Sequence, residues 1–324
     1  MARIKNKSRK KRAQRAGKIT FVFAVILLVV AFAFVLAQSF GFDLSWLIEP
    51  KREAKPVSAG TLEIHMIDVG QGDCILIRAP EGNMLIDAGE NKKEVESAIG
   101  TYLDDLGITE FKYVIFTHSD SDHIGSADFI MNNYAVDEVI LSDDERTTNV
   151  YKDMMSAIDK NGADIVLAVP NNKYSIGEME FTVLAPLGDG YKDVNDYSVV
   201  VRIDFGESSF LMTGDAEARS EEEIVAIYGA YDLDCDVIKV GHHGSRGSST
   251  NELLALVTPE AALISCGEGN KYGHPHKEAI DRIDNYTGDN IYRTDLLEDI
   301  IVITDGERIR INGALVVDES SSKG

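Results

Sequence analysis

Residues 116–125, FTHSDSDHIG, place two histidines and two aspartates within six consecutive positions. Imidazole nitrogens and carboxylate oxygens are ligands for Zn²⁺, Mn²⁺ or iron. His118 and Asp120 are two apart in a predicted extended segment, so their side chains point the same way. Asp122 and His123 come where a helix is predicted to begin, and they point toward a second position. The spacing predicts half of a two-metal site; the alternative is a charged turn that caps a helix.

The histidines are clustered rather than scattered. Six of the seven lie after apolar strand-like runs or in glycine-rich loops, as the pairs His118/His123, His242/His243 and His274/His276. Loops at strand ends are where a rigid sheet presents functional side chains. Asp215, in LMTGDAE, ends a predicted strand at a tight turn, where its carboxylate can bridge two ions. Together these clusters favour metal binding over a solvated turn.

The elements that must position these residues alternate between short β-rich runs and helix-like segments. The strand FKYVIFT leads directly into the His118 cluster, and the strand CDVIKVG leads into HHGS. Two halves of this kind predict an α/β fold in which helices lie outside two packed, mixed sheets.

The N-terminus differs in composition from the rest of the chain. The first eighteen residues carry nine Lys or Arg and no acid, and residues 21–37 are apolar without a break. Such a run approaches the ~20 residues that cross a bilayer as a helix. Preceding cations predict a single-pass cell-membrane protein with a cytoplasmic N-terminus and an extracytoplasmic domain. The alternative is a cleaved signal peptide and a secreted protein.

The predicted organisation has five parts. They are a basic cytoplasmic segment (1–18), a transmembrane helix (19–40), a linker (41–60), a large folded domain (61–313) and a disordered tail (314–324). Without its nine N-terminal cations the chain keeps 23 Lys and Arg against 54 Asp and Glu, a formal charge of −31. This charge argues against a broad nucleic-acid surface, although it permits a local basic groove or metals that hold one phosphate.

The ordered motifs resemble the metallo-β-lactamase superfamily, and within it the ComEC-like domain of competence proteins. The resemblance covers residues 62–312 through IDVGQGDCILI, LIDAG, THSDSDHIGS, NDYSVVVRI, TGD, IKVGHHGS, YGHPH and YRTD. It implies a four-layer αββα sandwich and two divalent ions, Zn²⁺ or Mn²⁺. The superfamily commonly has His where this chain has Asp120, and the Asp variant is the ComEC-like form.

The resemblance implies six metal ligands: His118 and Asp120 for one ion, Asp122 and His123 for the other, Asp215 as a bridge and His243 as the last histidine. His242 stays open as the alternative to His243. Asp87 matches a buried aspartate that braces the ligand loop. The family's third histidine for the first ion is missing, because no histidine lies between His123 and His242. Asn195 lies where the family has a similar Asn, a weaker donor, and this oxygen-rich set favours Mn²⁺ somewhat.

The implied reaction is hydrolysis by a metal-bound water. Asp122 is expected to orient that water as well as bind metal, and His242 or His274 to protonate a leaving oxygen. Asn195 and Ser245 are expected to contact the substrate.

Several functions fit this site. The leading one is a phosphodiesterase or nuclease acting on a phosphodiester such as single-stranded DNA, linked to DNA uptake. One alternative is an envelope phosphodiesterase resembling phosphorylcholine esterases, and another is a metal-bearing binding module with decayed catalysis. Lactam hydrolysis is a weaker third hypothesis. The only attachment inferred is to the membrane, with no obligate protein partner.

Overall fold

The computed structural model describes residues 55–321. Among these residues, no helix is both long enough and apolar enough to cross a membrane. The predicted basic segment, the membrane span at 19–40 and most of the predicted linker lie outside the described residues.

The described residues form two mixed β-sheets. The first contains β1 (Leu62–Met66), β2 (Ile75–Ala79), β3 (Gly82–Ile86), β4 (Glu110–Phe116), β5 (Ala135–Leu141), β6 (Asp164–Leu167), β14 (Ile300–Thr304), β15 (Arg308–Ile311) and β16 (Ala314–Asp318). The second contains β7 (Lys173–Ile176), β8 (Met179–Ala185), β9 (Val200–Phe205), β10 (Ser208–Met212), β11 (Val237–Lys239), β12 (Ala261–Ile264) and β13 (Ile291–Arg293). The spatial orders are β16–β15–β14–β1–β2–β3–β4–β5–β6 and β13–β12–β11–β10–β9–β8–β7.

Helices cover the outer face of each sheet. Those on the first sheet are α1 (Lys93–Leu106), α3 (Ala127–Asn133) and α4 (Asn149–Asn161), and those on the second are α5 (Ala218–Ile227), α7 (Asn251–Val257) and α8 (Lys277–Thr287). The shorter helices are α2 (Ser121–Ile124), α6 (Ala230–Leu233) and α9 (Thr294–Leu297). In α1 the buried Val95, Ile99 and Leu103 recur every four residues, which gives the helix one apolar face.

The two sheets pack face to face through one apolar core, and two further cores lie between each sheet and its helices. Met84, Phe181 and Leu263 are fully buried in the core between the sheets. The predicted α/β fold, an αββα sandwich, is therefore confirmed.

The strand directions explain where the functional loops lie. Strands β3 to β6 run parallel in the first sheet, as do β10 to β13 in the second. The carboxyl ends of parallel strands meet at one edge, where ligand-binding loops of α/β proteins gather. The loops after β3, β4, β10, β11 and β12 contain nearly all of the predicted site residues.

The predicted disordered tail, residues 314–324, is wrong in its first part. Ala314–Asp318 form β16, which pairs antiparallel with β15. Asn312 and Gly313 both have positive φ (48° and 84°), the geometry of a two-residue hairpin turn. Val317 is buried in the core between the sheets and Val316 packs against that core, so the second half of the run ALVV gains apolar burial.

Candidate metal centre

The ligand loop follows β4, which delivers it to the edge of the first sheet. Asp120 is extended and precedes α2, and its carbonyl accepts hydrogen bonds from the backbone N–H groups of His123 and Ile124, both at 3.0 Å. This turn separates the side-chain directions of its two halves. His118 and Asp120 face one position, with His118 Nε2 3.9 Å from an Asp120 oxygen, while His123 projects from the first turn of α2.

Asp215 lies where the two halves of the site meet. Its Oδ1 is 3.2 Å from His123 Nε2, and its Oδ2 is 3.4 Å from His243 Nε2. His243 Nε2 is also 3.6 Å from Asp122 Oδ2. Ligand atoms that each lie about 2.1 Å from one ion are separated by about 3–4 Å. The predicted ligands are therefore brought together at the spacing of a shared coordination sphere.

The chemistry of the buried atoms tests whether metal ions fit this site. The Nε2 atoms of His118, His123 and His243 and the Oδ1 atom of Asp215 are all buried without a hydrogen-bond partner among the described residues. Leaving such atoms unpaired costs about 1–3 kcal/mol each. Two overlapping ligand groups contain them: His118, His123 and Asp215, and Asp122, His123 and His243. A pair of divalent ions would supply the missing partners, so the residues fit.

The HHGS loop separates its two histidines. His243 is fully buried, and its Nδ1 donates to the Ser265 carbonyl at 2.9 Å, which leaves the Nε2 lone pair facing Asp122 and Asp215. His242 is partly open, with its Nδ1 2.8 Å from Glu217 Oε1. His243 is therefore the member of the pair that lies in the group with Asp122 and His123.

Asp87 lies directly behind the ligand loop. Its Oδ1 accepts the Thr117 backbone N–H at 2.8 Å, and its Oδ2 accepts the Thr117 hydroxyl and His123 Nδ1, both at 2.7 Å. A carboxylate bound to the far nitrogen of a ligand histidine fixes its tautomer and ring orientation. The structure thus places Asp87 where a bracing aspartate is required.

Two buried residues of the site were missed by sequence reasoning. Lys239 Nζ lies 2.5 Å from Asp73 Oδ2 and donates to the Gly214 carbonyl at 2.6 Å. Asp73 also lies 3.4 Å from His243 Nδ1. The available signal was a lysine inside the apolar strand DVIKV, because a buried cation requires a partner.

The GQGD turn packs against the ligand loop itself. A Cβ on Gly72 would lie 2.3 Å from the Asp122 carbonyl oxygen, and Gly72 has a φ of +131°. The Asp73 backbone N–H donates to the same carbonyl at 3.2 Å. Only glycine allows the GQGD turn to come this close to the Asp122 backbone, so the turn fixes the position of Asp122.

The remaining predicted site residues differ in their contacts with His242. Asn195 is buried, with its Nδ2 3.3 Å from His242 Nδ1. The ring of His274 lies 5.1 Å from that of His242. The Ser245 hydroxyl accepts the Gly247 N–H at 3.2 Å within its own loop, and the Ser245 backbone N–H donates to the His242 carbonyl at 2.8 Å.

The electrostatics keep the bridging carboxylate, Asp215, charged. Burial and the neighbouring His123 lower the pKa of His118 to about 3. Burial opposes charge on His123 and His243, yet Asp215 outweighs it and raises both pKa values. The same pairs overcome burial and hold the pKa of Asp215 well below its usual range. An ionised bridging carboxylate is the form that binds metal.

Comparison with known proteins matches a family model to the part of the chain that contains the predicted metal ligands. The family model described as Metallo-beta-lactamase superfamily matches residues 67–268, which is more than half of the chain. Among solved structures, the metallo-beta-lactamase fold protein YhfI of Bacillus subtilis is similar with a TM-score of 0.47 and 12% identity, over 72% of this chain and 96% of that one.

Three curated relatives match at the sequence level. ComE operon protein 3 of Bacillus subtilis (strain 168) is 30% identical over 249 residues, which cover 72% of this chain and 32% of that protein. Recombination protein 2 of Haemophilus influenzae is 32% identical over 235 residues (72% and 28%). Competence protein ComA of Neisseria gonorrhoeae is 28% identical over 253 residues (78% and 33%). The chain spans about a third of the length of these relatives.

Proposed function

Because the chain belongs to the metallo-beta-lactamase superfamily, we propose that its described domain is a two-metal phosphodiesterase of the nuclease type. Residues 19–40 are proposed to anchor it in the cell membrane, with the domain outside the cell. The names of the relatives, which include competence and recombination proteins, support a link to DNA uptake as part of this proposal.

One observation carries the proposal. Three histidine Nε2 atoms and one carboxylate oxygen converge in a buried site without hydrogen-bond partners among the described residues. Each unpaired buried polar atom lowers the stability of the fold, so packing alone does not account for this arrangement. Imidazole and carboxylate ligands around a shared aspartate are the donor set of a hydrolytic two-metal centre.

The charge of the site suits an anionic substrate. When bound, two divalent ions supply a water of lowered pKa and stabilise charge on the attacked phosphoryl group. Three carboxylates, Asp120, Asp122 and Asp215, face the ion positions and offset most of that charge. Lys239 neutralises Asp73 behind them. The remaining positive charge would attract a phosphodiester.

Two protein groups act on the substrate side. The Asp122 side chain is 22% exposed, so a carboxylate oxygen can accept a hydrogen bond from the attacking water and orient it. Burial and His242 lower the pKa of His274 to about 4. His274 is therefore neutral at pH 7 and donates an N–H hydrogen bond to a phosphate oxygen.

The rim of the site favours single-stranded nucleic acid over other diesters. Lys271 Nζ lies 4.8 Å from the ring of the half-exposed Tyr272, next to the His274 loop. On the Asn195 side, the Arg146 guanidinium lies 5.8 Å from the ring of Tyr197. A cation beside an aromatic ring can hold a phosphate while a base stacks. Lys271, together with Arg146, which is also paired with Asp144 at 2.5 Å, provides local positive charge beside an acidic surface.

The test uses the full-length chain in detergent, loaded with Mn²⁺ or Zn²⁺. We expect chelator-sensitive hydrolysis of single-stranded DNA and of bis(p-nitrophenyl) phosphate, and a loss of at least about 100-fold in Asp215→Asn, since it removes a bridging ligand. Asp204→Asn, a strand aspartate paired with Arg202 away from the site, is the control.

Two results would redirect or refute the proposal. Hydrolysis of the small diester without DNA cleavage would assign the site to an envelope phosphodiester. Absence of turnover of both substrates, with two ions bound, would refute hydrolysis and leave a binding module.

A further inference from the structure

The first ion position lacks a histidine that its chemistry calls for. His118, Asp120 and Asp215 face it, and no histidine lies between His123 and His242 in the chain. We propose that His242 supplies this ligand through its Nε2 atom and that Glu217 orients the ring. Both histidines of the HHGS pair then bind metal, one at each position. This inference rests on the proposed two-metal site and adds to it one ligand and one positioning residue.

The backbone of the loop turns both imidazoles toward one carboxylate. His242 and His243 both have left-handed conformations, with φ of 47° and 52°. Each such residue costs roughly 1–2 kcal/mol, and adjacent residues of an extended chain would point in opposite directions. Here their Nε2 atoms lie 3.6 Å and 3.4 Å from the same atom, Asp215 Oδ2. The strained turn is what allows neighbouring residues to share a bridging ligand.

Hydrogen bonding fixes the tautomer of His242 that a ligand needs. Its Nδ1 lies 2.8 Å from Glu217 Oε1. A carboxylate only accepts hydrogen bonds, so Nδ1 carries the proton and the Nε2 lone pair faces Asp215. A carboxylate on the far nitrogen is the usual support of a metal-binding histidine.

One turn supplies both the bridge and the support. Glu217 follows Asp215 by two residues in TGDAE. The His242 backbone N–H donates to the Gly214 carbonyl at 3.3 Å, and a Cβ on Gly241 would lie 2.9 Å from the Ala216 carbonyl oxygen. The two loops are thus packed directly together, and this packing fixes the position of the His242 ring relative to Asp215.

Two other roles compete for these residues. Asn195, predicted as a weak ligand, has its Nδ2 3.3 Å from His242 Nδ1, so its amide lies behind the ring. His242 was predicted to protonate a leaving oxygen. That role requires Nε2 to point away from the metals, whereas it points at a buried carboxylate at ordinary ligand spacing.

The experiment counts metal ions, independently of activity. Full-length chain in detergent is stripped with chelator, dialysed against Mn²⁺ and measured by elemental analysis, titration calorimetry and electron paramagnetic resonance. We expect two ions and an exchange-coupled spectrum for the wild type, and one ion with an uncoupled spectrum for His242→Ala. Glu217→Gln should keep both ions but weaken one of them about 10- to 100-fold.

Matched variants distinguish the loss of one metal ligand from the loss of the fold. His242→Gly removes the same ring and tolerates positive φ, so it should also bind one ion. His274→Ala, a neighbouring histidine outside the ligand set, should bind two. The assignment is overturned if His242→Ala and His242→Gly bind as many ions as the wild type with the same affinity. A wild type with two ions but no diester hydrolysis would refute the proposed function and leave the assignment standing.

Discussion

At the scale of single residues, a buried lysine lies between two buried carboxylates of the site. Lys239 lies 3.6 Å from Asp215 Oδ1 and 2.5 Å from Asp73. Burial opposes charge on Lys239, but Asp73 and Asp215 outweigh it and raise its pKa. Lys239 therefore stabilises two carboxylates that would otherwise repel each other.

Substitution of Lys239 should show how much its pairing with the Asp73 carboxylate contributes to the free energy of unfolding. Lys239→Met leaves the buried Asp73 carboxylate without its cation, and we expect the free energy of unfolding to fall by about 3–5 kcal/mol. The double variant with Asp73→Asn should recover part of that loss. Urea unfolding in chelator measures both, with the exposed Lys112→Met as control. A double variant no more stable than Lys239→Met would contradict the pairing.

The exposed Tyr272 should distinguish a nucleic-acid substrate from a small diester. Tyr272→Ala removes a stacking surface worth about 1–3 kcal/mol per base, so KM for single-stranded DNA should rise roughly tenfold. The kinetics with bis(p-nitrophenyl) phosphate should not change. Tyr231→Ala, at an almost fully exposed tyrosine of α6, serves as the control. Equal effects on both substrates would show that Tyr272 only supports the loop.

Some residue roles follow from local sequence and others do not. The relation of His118, Asp120, Asp122 and His123 is set by spacing within one loop, so sequence alone predicts it. The Asp73–Lys239 contact joins distant parts of the chain, and local patterns carry no information about such a pair. The choice between adjacent histidines depends on backbone torsions that spacing does not reveal.

At the scale of elements, a buried acid joins α5 to the start of α7. Glu221 in α5 accepts the backbone N–H groups of Ser249 and Thr250, the latter at 2.7 Å. Burial raises its pKa to about 7 despite these hydrogen bonds. Thr250 in turn caps α7 through its side chain. The ionisation of Glu221 therefore affects the hydrogen bonds at the start of α7, the helix that follows the HHGS loop.

This coupling predicts a pH dependence of stability. The folded pKa of about 7 lies above the ordinary value of 4.5, so the stabilisation is complete below pH 4.5 and is lost as pH rises through 7. The loss amounts to about 3 kcal/mol. Glu221→Gln keeps an acceptor and should flatten this slope in urea unfolding at pH 5 to 8 in chelator. The exposed Glu222→Gln should keep it; parallel slopes for all three proteins would contradict the prediction.

The elements were predictable where periodicity is strong. The run NKKEVESAIGTYLDDLG, which contains α1, has apolar residues at helical spacing. The last strand was missed because polar residues follow it, although INGA contains the hairpin signal that positions β16. Strand order was not predictable, because it depends on pairing between distant segments.

At the scale of the whole molecule, the formal charge of −22 opposes approach of an anionic substrate. Salt screens this repulsion, since the Debye length falls to about 10 Å at 0.1 M. We expect kcat/KM for bis(p-nitrophenyl) phosphate to rise several-fold between low and moderate KCl. The zwitterionic p-nitrophenylphosphorylcholine should show little change. A fall in kcat/KM with salt would indicate that local cations govern the encounter instead.

The ligands come from both sheets: the loop after β4 belongs to the first, and those after β10 and β11 belong to the second. An ion held by these loops is a non-covalent cross-link between two halves that are distant in the chain. Because it binds only the folded state, it stabilises that state by mass action. Metal supply should therefore set the lifetime of the protein as well as its activity. Under metal starvation, we expect proteases to clear the chain faster, so that its abundance reports on the metal available to it.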